Sequence, residues 1–172
     1  NRDVVKKINT LRSKNESFIC TSFPTIAGAG ENGAIIHYQP SEITNRKIKK
    51  SDILLLDSGG QYFYGTTDIT RTISRQKKIS KRIIDDYTTV LKSHIEVNLR
   101  KFPTGISGAF LDMIARKEMW DIGEDFAHST GHGVGFCLNV HEGPFSISLK
   151  NTHPIYSNMI FSNEPGLYKN GK

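Results

Sequence analysis

The chain has 172 residues, 37% of them hydrophobic and 23% charged, which is enough to bury one sizeable core, and one domain is the expected count. No apolar run within it approaches the roughly 20 residues that span a bilayer, so no membrane-crossing helix is expected and the protein reads as soluble. The net charge of +6 gathers mainly in Arg46–Lys50 and Arg75–Arg82, which lack interleaved aromatics or a nucleic-acid motif, so these runs read as solvated faces and not as a nucleic-acid surface.

Cys20 and Cys137 are far apart and form no CxxC spacing, which argues against a disulfide framework or a zinc–thiolate site and favours a cytoplasmic setting. The chain starts at Asn1 with no charged-then-apolar leader, and its final residues, Glu164 to Lys172, read as a turn leading onward. An excerpt of a longer protein is therefore expected.

Val4, Ile8 and Leu11 recur at helical spacing and predict a helix ending near Ser13. Ser17–Phe23 reads as a strand stopped by Pro24. Gly28, Gly30 and Gly33 then spell Gly-x-Gly-x-x-Gly. The following residues, Ala34–Tyr38, read as a short strand carrying His37, and a strand there is the wrong context for dinucleotide binding. After a polar connection, Leu54–Thr72 reads as a hairpin that presents Asp57 and Asp68. Asp is depleted in strands, so both carboxylates are candidate metal ligands, with a purely turn-forming role as the alternative.

Ser80 is a candidate N-cap, and Ile84, Tyr87, Leu91, Ile95 and Leu99 predict a long surface helix with one buried stripe. A second helix is expected over Ser107–Trp120, with Leu111, Ile114, Ala115 and Met119 on one side. The last apolar stretch is Asn158–Phe161. Strands and helices segregate along the chain, so the expected class is α+β, with helices covering an antiparallel sheet.

His128, His132 and His141 fall close together among glycines. Gly131, Gly133 and Gly135 disfavour a helix by about 1 kcal/mol each, which excludes a helical HExxH zinc site and points to extended or looping chain. Glu164 ends an apolar run just before Pro165. Asp57, Asp68, His132 and Glu164 together form an oxygen-rich set with one imidazole, suited to Mn²⁺, Co²⁺, Fe²⁺ or Zn²⁺ and able to hold two ions. Two bridged ions give a nucleophile at neutral pH and a Lewis acid for a carbonyl, so hydrolysis is the implied reaction class.

Five segments carry a specific resemblance: Leu55-Leu56-Asp57-Ser58-Gly59, Gly65-Thr66-Thr67-Asp68-Ile69-Thr70-Arg71-Thr72, Thr130-Gly131-His132-Gly133-Val134-Gly135, Leu138-Asn139-Val140-His141-Glu142-Gly143-Pro144 and Asn163-Glu164-Pro165-Gly166-Leu167-Tyr168. In this order they resemble the signature segments of the aminopeptidase P (Xaa-Pro aminopeptidase) family. The resemblance implies a pita-bread fold, a dinuclear, typically Mn²⁺, centre and a peptide substrate with proline at its second position, cleaved at the N-terminal Xaa-Pro bond by a metal-activated water.

By the same resemblance Asp57 holds one metal, Asp68 bridges both, and His132 and Glu164 hold the second. His37, His128 and His141 line the substrate pocket, with His128 and His141 suited to the developing oxyanion and leaving amine, and Glu164 to accepting a proton. The family also has a further bridging glutamate past the position matched by Glu164. Residues 1–172 are thus expected to be a partial catalytic domain, without its C-terminal closing strands and any N-terminal domains, and weakly active or inactive and poorly stable alone. A homodimer is compatible with this reading. Prolidase, which shares the metal centre but acts on dipeptides, and a non-catalytic peptide- or protein-binding module on the same scaffold are the alternatives.

Overall fold

The computed structural model describes residues 1–169, so the end of the turn expected through Lys172 lies outside the described residues. The elements are α+β and fall into two compact units, one built on Asn1–Lys78 with Gly135–Val140, the other on Ile79–Val134 with His141–Leu167.

In the first unit, α1 (Arg2–Arg12) forms on the stripe of Val4, Ile8 and Leu11, and Arg12 Nη2 ties its end to the Ser58 carbonyl at 3.1 Å. Six strands follow: β1 (Phe18–Thr21), β2 (Ile26–Ala29), β3 (Ile53–Ser58), β4 (Gly60–Tyr62), β5 (Gly65–Thr66) and β6 (Ile69–Ser74). They build two antiparallel sheets, in the orders β2-β3-β6 and β1-β4-β5. The central β3 carries Leu54, Leu55 and Leu56, a continuous apolar run of the kind that suits a strand flanked on both edges.

The hairpin expected over Leu54–Thr72 is present but divided. Its outer arms, β3 and β6, pair in one sheet, and its inner arms, β4 and β5, pair in the other. The arms change sheet at Gly59 and at Thr67–Asp68. Gly59 permits the change, because a Cβ there would overlap the Thr67 carbonyl oxygen and the Ser22 hydroxyl. Thr67 bridges the break, accepting from the Gly60 amide at 2.9 Å through its hydroxyl and donating its own amide to the Gly60 carbonyl at 2.9 Å.

Residues 34–38 are not the expected strand. A 3-10 turn over Gly30–Ala34 leads into further turns closed by Ile35 N–Asn32 O and Tyr38 N–Ile35 O bonds, and His37 takes a left-handed φ of 59°. Tyr38 sets the outcome: its ring is buried, its hydroxyl donates to the Thr44 carbonyl at 2.9 Å, and Asn32 Nδ2 donates to that same hydroxyl. A flat strand pairing would forgo those bonds.

In the second unit, Ser80 caps α2 (Lys81–Leu99) by accepting from the Ile83 amide, and α3 (Gly108–Trp120) starts after Ser107, both as expected. The buried face of α2 differs from the expected stripe. Ile84, Tyr87, Leu91, Ile95 and Leu99 are 41–72% exposed, whereas Ser93 and Val97 are buried. Close approach decides the face: Ser93 Oγ donates to the Ala115 carbonyl of α3 at 2.5 Å, a contact that only a small side chain permits. On α3, Leu111, Ala115 and Met119 are fully buried, matching the sequence pattern. Leu111 and Ala115 share a core with Val97, Ile155 and the Phe145 and Ile147 side chains of β8 (Glu142–Ile147), which pairs antiparallel with β7 (Gly131–Gly133). No helix among the described residues is long and apolar enough to cross a membrane.

Candidate metal centre

Asp57 lies near the end of β3, opposite Thr70 of β6, and Asp68 precedes Thr70 by two residues. Asp68 immediately precedes β6, so the two acids lie at the same end of the β3–β6 pair, beside the break at Gly59. Both are half-buried.

The second set of residues is built around β7. Residues 160–164, at the end of the last apolar stretch and just beyond it, run beside β7 as a ladder: Val134 N donates to Ile160 O at 3.0 Å, Ser162 N to His132 O at 2.8 Å and Glu164 N to Thr130 O at 2.7 Å. Gly131 makes that proximity possible, since a Cβ would overlap the Ser162 carbonyl. Ser162 reinforces it from its side chain, accepting from the His132 amide at 2.9 Å and donating to Glu164 Oε1 at 2.7 Å. Asn163 is anchored to α2, with Nδ2 donating to the His94 carbonyl at 2.9 Å and its own carbonyl 3.0 Å from His94 Nδ1.

The His132 tautomer follows from its surroundings. Nδ1 lies 2.8 Å from the Gly133 carbonyl, which can only accept, so Nδ1 carries a proton. Nε2 is then the atom that faces Glu164 Oε1 at 3.0 Å. A neutral imidazole would set a lone pair against a carboxylate there, and a cation shared by the two, either a proton or a metal ion, resolves the conflict. A carbonyl-oriented histidine beside a carboxylate is the donor arrangement that divalent metals use. Burial alone would push Glu164 upward, but hydrogen bonds from His132 and Ser162 and the charges of His132 and His128 outweigh it and hold the carboxyl below the ordinary value of 4.5.

His141 and His128 complete this set. The His141 ring meets His132 edge-on, with centroids 4.1 Å apart. His128 Nδ1 lies 2.8 Å from the Ser129 carbonyl, which fixes its proton there by the same logic, and its ring lies against Phe126 at 5.0 Å. His37 is exposed in the first unit at its left-handed turn, and not on a strand as expected.

Residues that sequence reasoning missed hold these groups in place. Asp112 and Arg116, one turn apart on α3, are 0% and 7% exposed. Arg116 Nε donates to Asp112 Oδ2 at 2.7 Å, Nη1 to Asp125 Oδ1 at 2.6 Å and the Phe126 carbonyl at 2.7 Å, and Nη2 to the His128 carbonyl at 2.8 Å. Its guanidinium stacks on Phe126, 4.1 Å from the centroid. Asp112 Oδ1 accepts from the buried Thr130 hydroxyl at 2.7 Å and more weakly from its amide at 3.3 Å. The sequence signal was available: Asp112 and Arg116 adjoin Leu111 and Ala115 on the apolar side of α3.

Asp125 gives this network a pH signature. Burial pushes its carboxyl upward, but bonds from the Phe126 amide, Arg116 and Trp120, with the Arg116 charge, hold it below the ordinary 3.8. A carboxylate lowered in the folded state contributes stability that is complete above the unfolded value and lost as pH falls through the folded one. Asp125→Asn is therefore expected to make the acid arm of the stability curve shallower below about pH 4 without changing its slope near neutrality. Circular dichroism across pH measures this, and superimposable acid arms would refute it.

Comparisons with known proteins place the chain among metallopeptidases. The model of metallopeptidase family M24 matches residues 1–172. Aminopeptidase P2 of Arabidopsis thaliana is 48% identical over 169 residues, covering 97% of this chain and 24% of that protein. Xaa-Pro aminopeptidase 1 of Dictyostelium discoideum is 45% identical over 171 residues, covering 98% of this chain and 27% of its own length. Among solved structures, X-prolyl aminopeptidase of Caenorhabditis elegans, described as a cytosolic enzyme with a di-nuclear active site, superposes with a TM-score of 0.95 at 42% identity, over 99% of this chain and 28% of that one. Prolidase of Pyrococcus furiosus superposes with a TM-score of 0.87 at 30% identity, over 98% of this chain and 48% of that one. The chain thus spans about a quarter of the curated relatives it matches. A family match along the whole chain and a pita-bread fold shared with these enzymes lead to one conclusion: the chain belongs to metallopeptidase family M24.

Proposed function

We propose that the protein to which this chain belongs is an Xaa-Pro aminopeptidase, hydrolysing the N-terminal bond of cytosolic peptides that carry proline at the second position. Residues 1–172 form part of its catalytic domain, in keeping with their share of the relatives' length. Asp57, Asp68, His132 and Glu164 hold two divalent ions, Mn²⁺ by preference. The observation that carries this reading is the His132–Glu164 pair, whose fixed Nδ1 proton directs Nε2 at a carboxylate oxygen 3.0 Å away.

Bound there, the ions would supply a hydrolytic nucleophile at neutral pH and an electrophile for the scissile carbonyl. Glu164, kept ionised by its neighbours, takes up the proton released as the nucleophile attacks. His141, packed on His132, and His128, held by its own backbone, donate to the developing oxyanion and to the departing proline nitrogen. His37 contributes to the walls that receive the peptide.

Prolidases share the fold, but the 42% identity to an X-prolyl aminopeptidase against 30% to a prolidase favours the aminopeptidase. Metal analysis of the full-length protein, with hydrolysis of Xaa-Pro-Xaa tripeptides compared with Xaa-Pro dipeptides, decides. Bound divalent metal and tripeptide cleavage are expected. Strict dipeptide preference would make it a prolidase, and a metal-free, inactive protein would leave a binding module.

A further inference from the structure

We propose that Arg116, braced by Asp112, is a positioning residue that sets where His128, His132 and Glu164 stand. The inference rests on the site assignment above, but concerns α3, which contributes no group to the chemistry.

Three backbone points are pinned at alternate residues. Arg116 takes the carbonyls of Phe126 and His128, and Asp112 takes the amide and hydroxyl of Thr130. The carbonyl of Thr130 in turn accepts from the Glu164 amide at 2.7 Å. One helical turn thereby governs the His128 backbone, the entry to His132 and the backbone of Glu164. Only a planar fork with several fixed N–H directions can serve Asp112, Asp125 and two carbonyls at once; a lysine ammonium cannot.

Stability alone does not explain the pair. Desolvating two charges is expensive, and apolar side chains of similar volume often serve a core as well or better. Leu111, Ala115 and Met119 already seal this face of α3. What an apolar replacement could not do is fix the rotation of the peptide units at 126, 128 and 130, and that rotation aims the His128 side chain.

The test uses the full-length protein and two substitutions, Arg116→Lys, which keeps the charge and loses the fork, and the near-isosteric Thr130→Val, which loses only the hydroxyl bond to Asp112. Arg116→Lys is expected to lower kcat on an Xaa-Pro-Xaa peptide and affinity for Mn²⁺ by about 10- to 100-fold each, with KM nearly unchanged. In histidine-labelled, metal-free protein, NMR should show displaced His128 and His132 imidazole signals with His153 unmoved. Thr130→Val should displace His132 more than His128. Imidazole signals identical to the parent in both variants, or a kcat loss that merely follows the folded fraction, would overturn the proposal. A parent that neither binds Mn²⁺ nor cleaves peptide would instead overturn the metallopeptidase reading, while the imidazole signals would still decide the positioning role.

Discussion

Glu164→Gln in the full-length protein is expected to lower kcat for Xaa-Pro hydrolysis by about 10²- to 10⁴-fold, with a small change in KM. Glutamine keeps the side-chain length and can still accept from Ser162, so the ladder between residues 160–164 and β7 should survive. The negative charge facing His132 Nε2 at 3.0 Å is what disappears. A ligand role and a proton-accepting role separate by metal analysis: loss of one equivalent of metal marks the first, and full metal content with the same loss of turnover marks the second. Turnover within about threefold of the parent would remove Glu164 from the machinery altogether.

The helices were legible because their signals are local. Ser80 announces α2, and the spacing of Leu111, Ala115 and Met119 marks the buried side of α3. Which side of α2 packs on α3 was not legible, because that side carries Ser93, whose value lies in its smallness opposite Ala115. Residues 34–38 misled in the same way. Ile35, Ile36 and Tyr38 look like a strand until the bonds of Tyr38 to Thr44 are known, and those depend on contacts that no local window contains.

The candidate site divides along similar lines. Asp57 and Asp68 stood out because acids are uncommon in β-rich stretches, and the antiparallel pairing of β3 with β6 brings both to the end of the pair beside Gly59. The histidine cluster stood out by density. The residues that orient these groups did not. Nothing local marked Ser162 or Asn163 as anchors, and an Asp–Arg pair four residues apart on a helix ordinarily reads as a solvated surface pair. The Asp112–Arg116 pair is buried because the 125–130 segment folds back over α3, and its carbonyls require a donor there. Orientation is thus written mainly in backbone carbonyls and amides, which every sequence contains and none advertises.

That dependence on backbone makes Gly131→Ala the most informative structural change. The added Cβ would overlap the Ser162 carbonyl oxygen and press on Ile147 Cδ1 at 3.3 Å. A flexible side chain could swing aside, but a backbone carbonyl within a ladder cannot. The strand must move away, stretching the Ser162 N–His132 O and Glu164 N–Thr130 O bonds that flank the contact. Overpacking contributes about 1–3 kcal/mol and each weakened bond about 1 kcal/mol, so a destabilisation of about 3 kcal/mol is expected. For a unit of the size that contains β7, this corresponds to a fall of about 12–24 °C in its unfolding transition. Because the displaced segment carries Glu164 and the fixed one carries His132, affinity for Mn²⁺ should fall along with stability. Calorimetry and metal titration of the same full-length variant measure both. An unchanged transition would mean that the ladder absorbs a methyl group without opening, and unchanged metal affinity would mean that Glu164 does not depend on the ladder for its position.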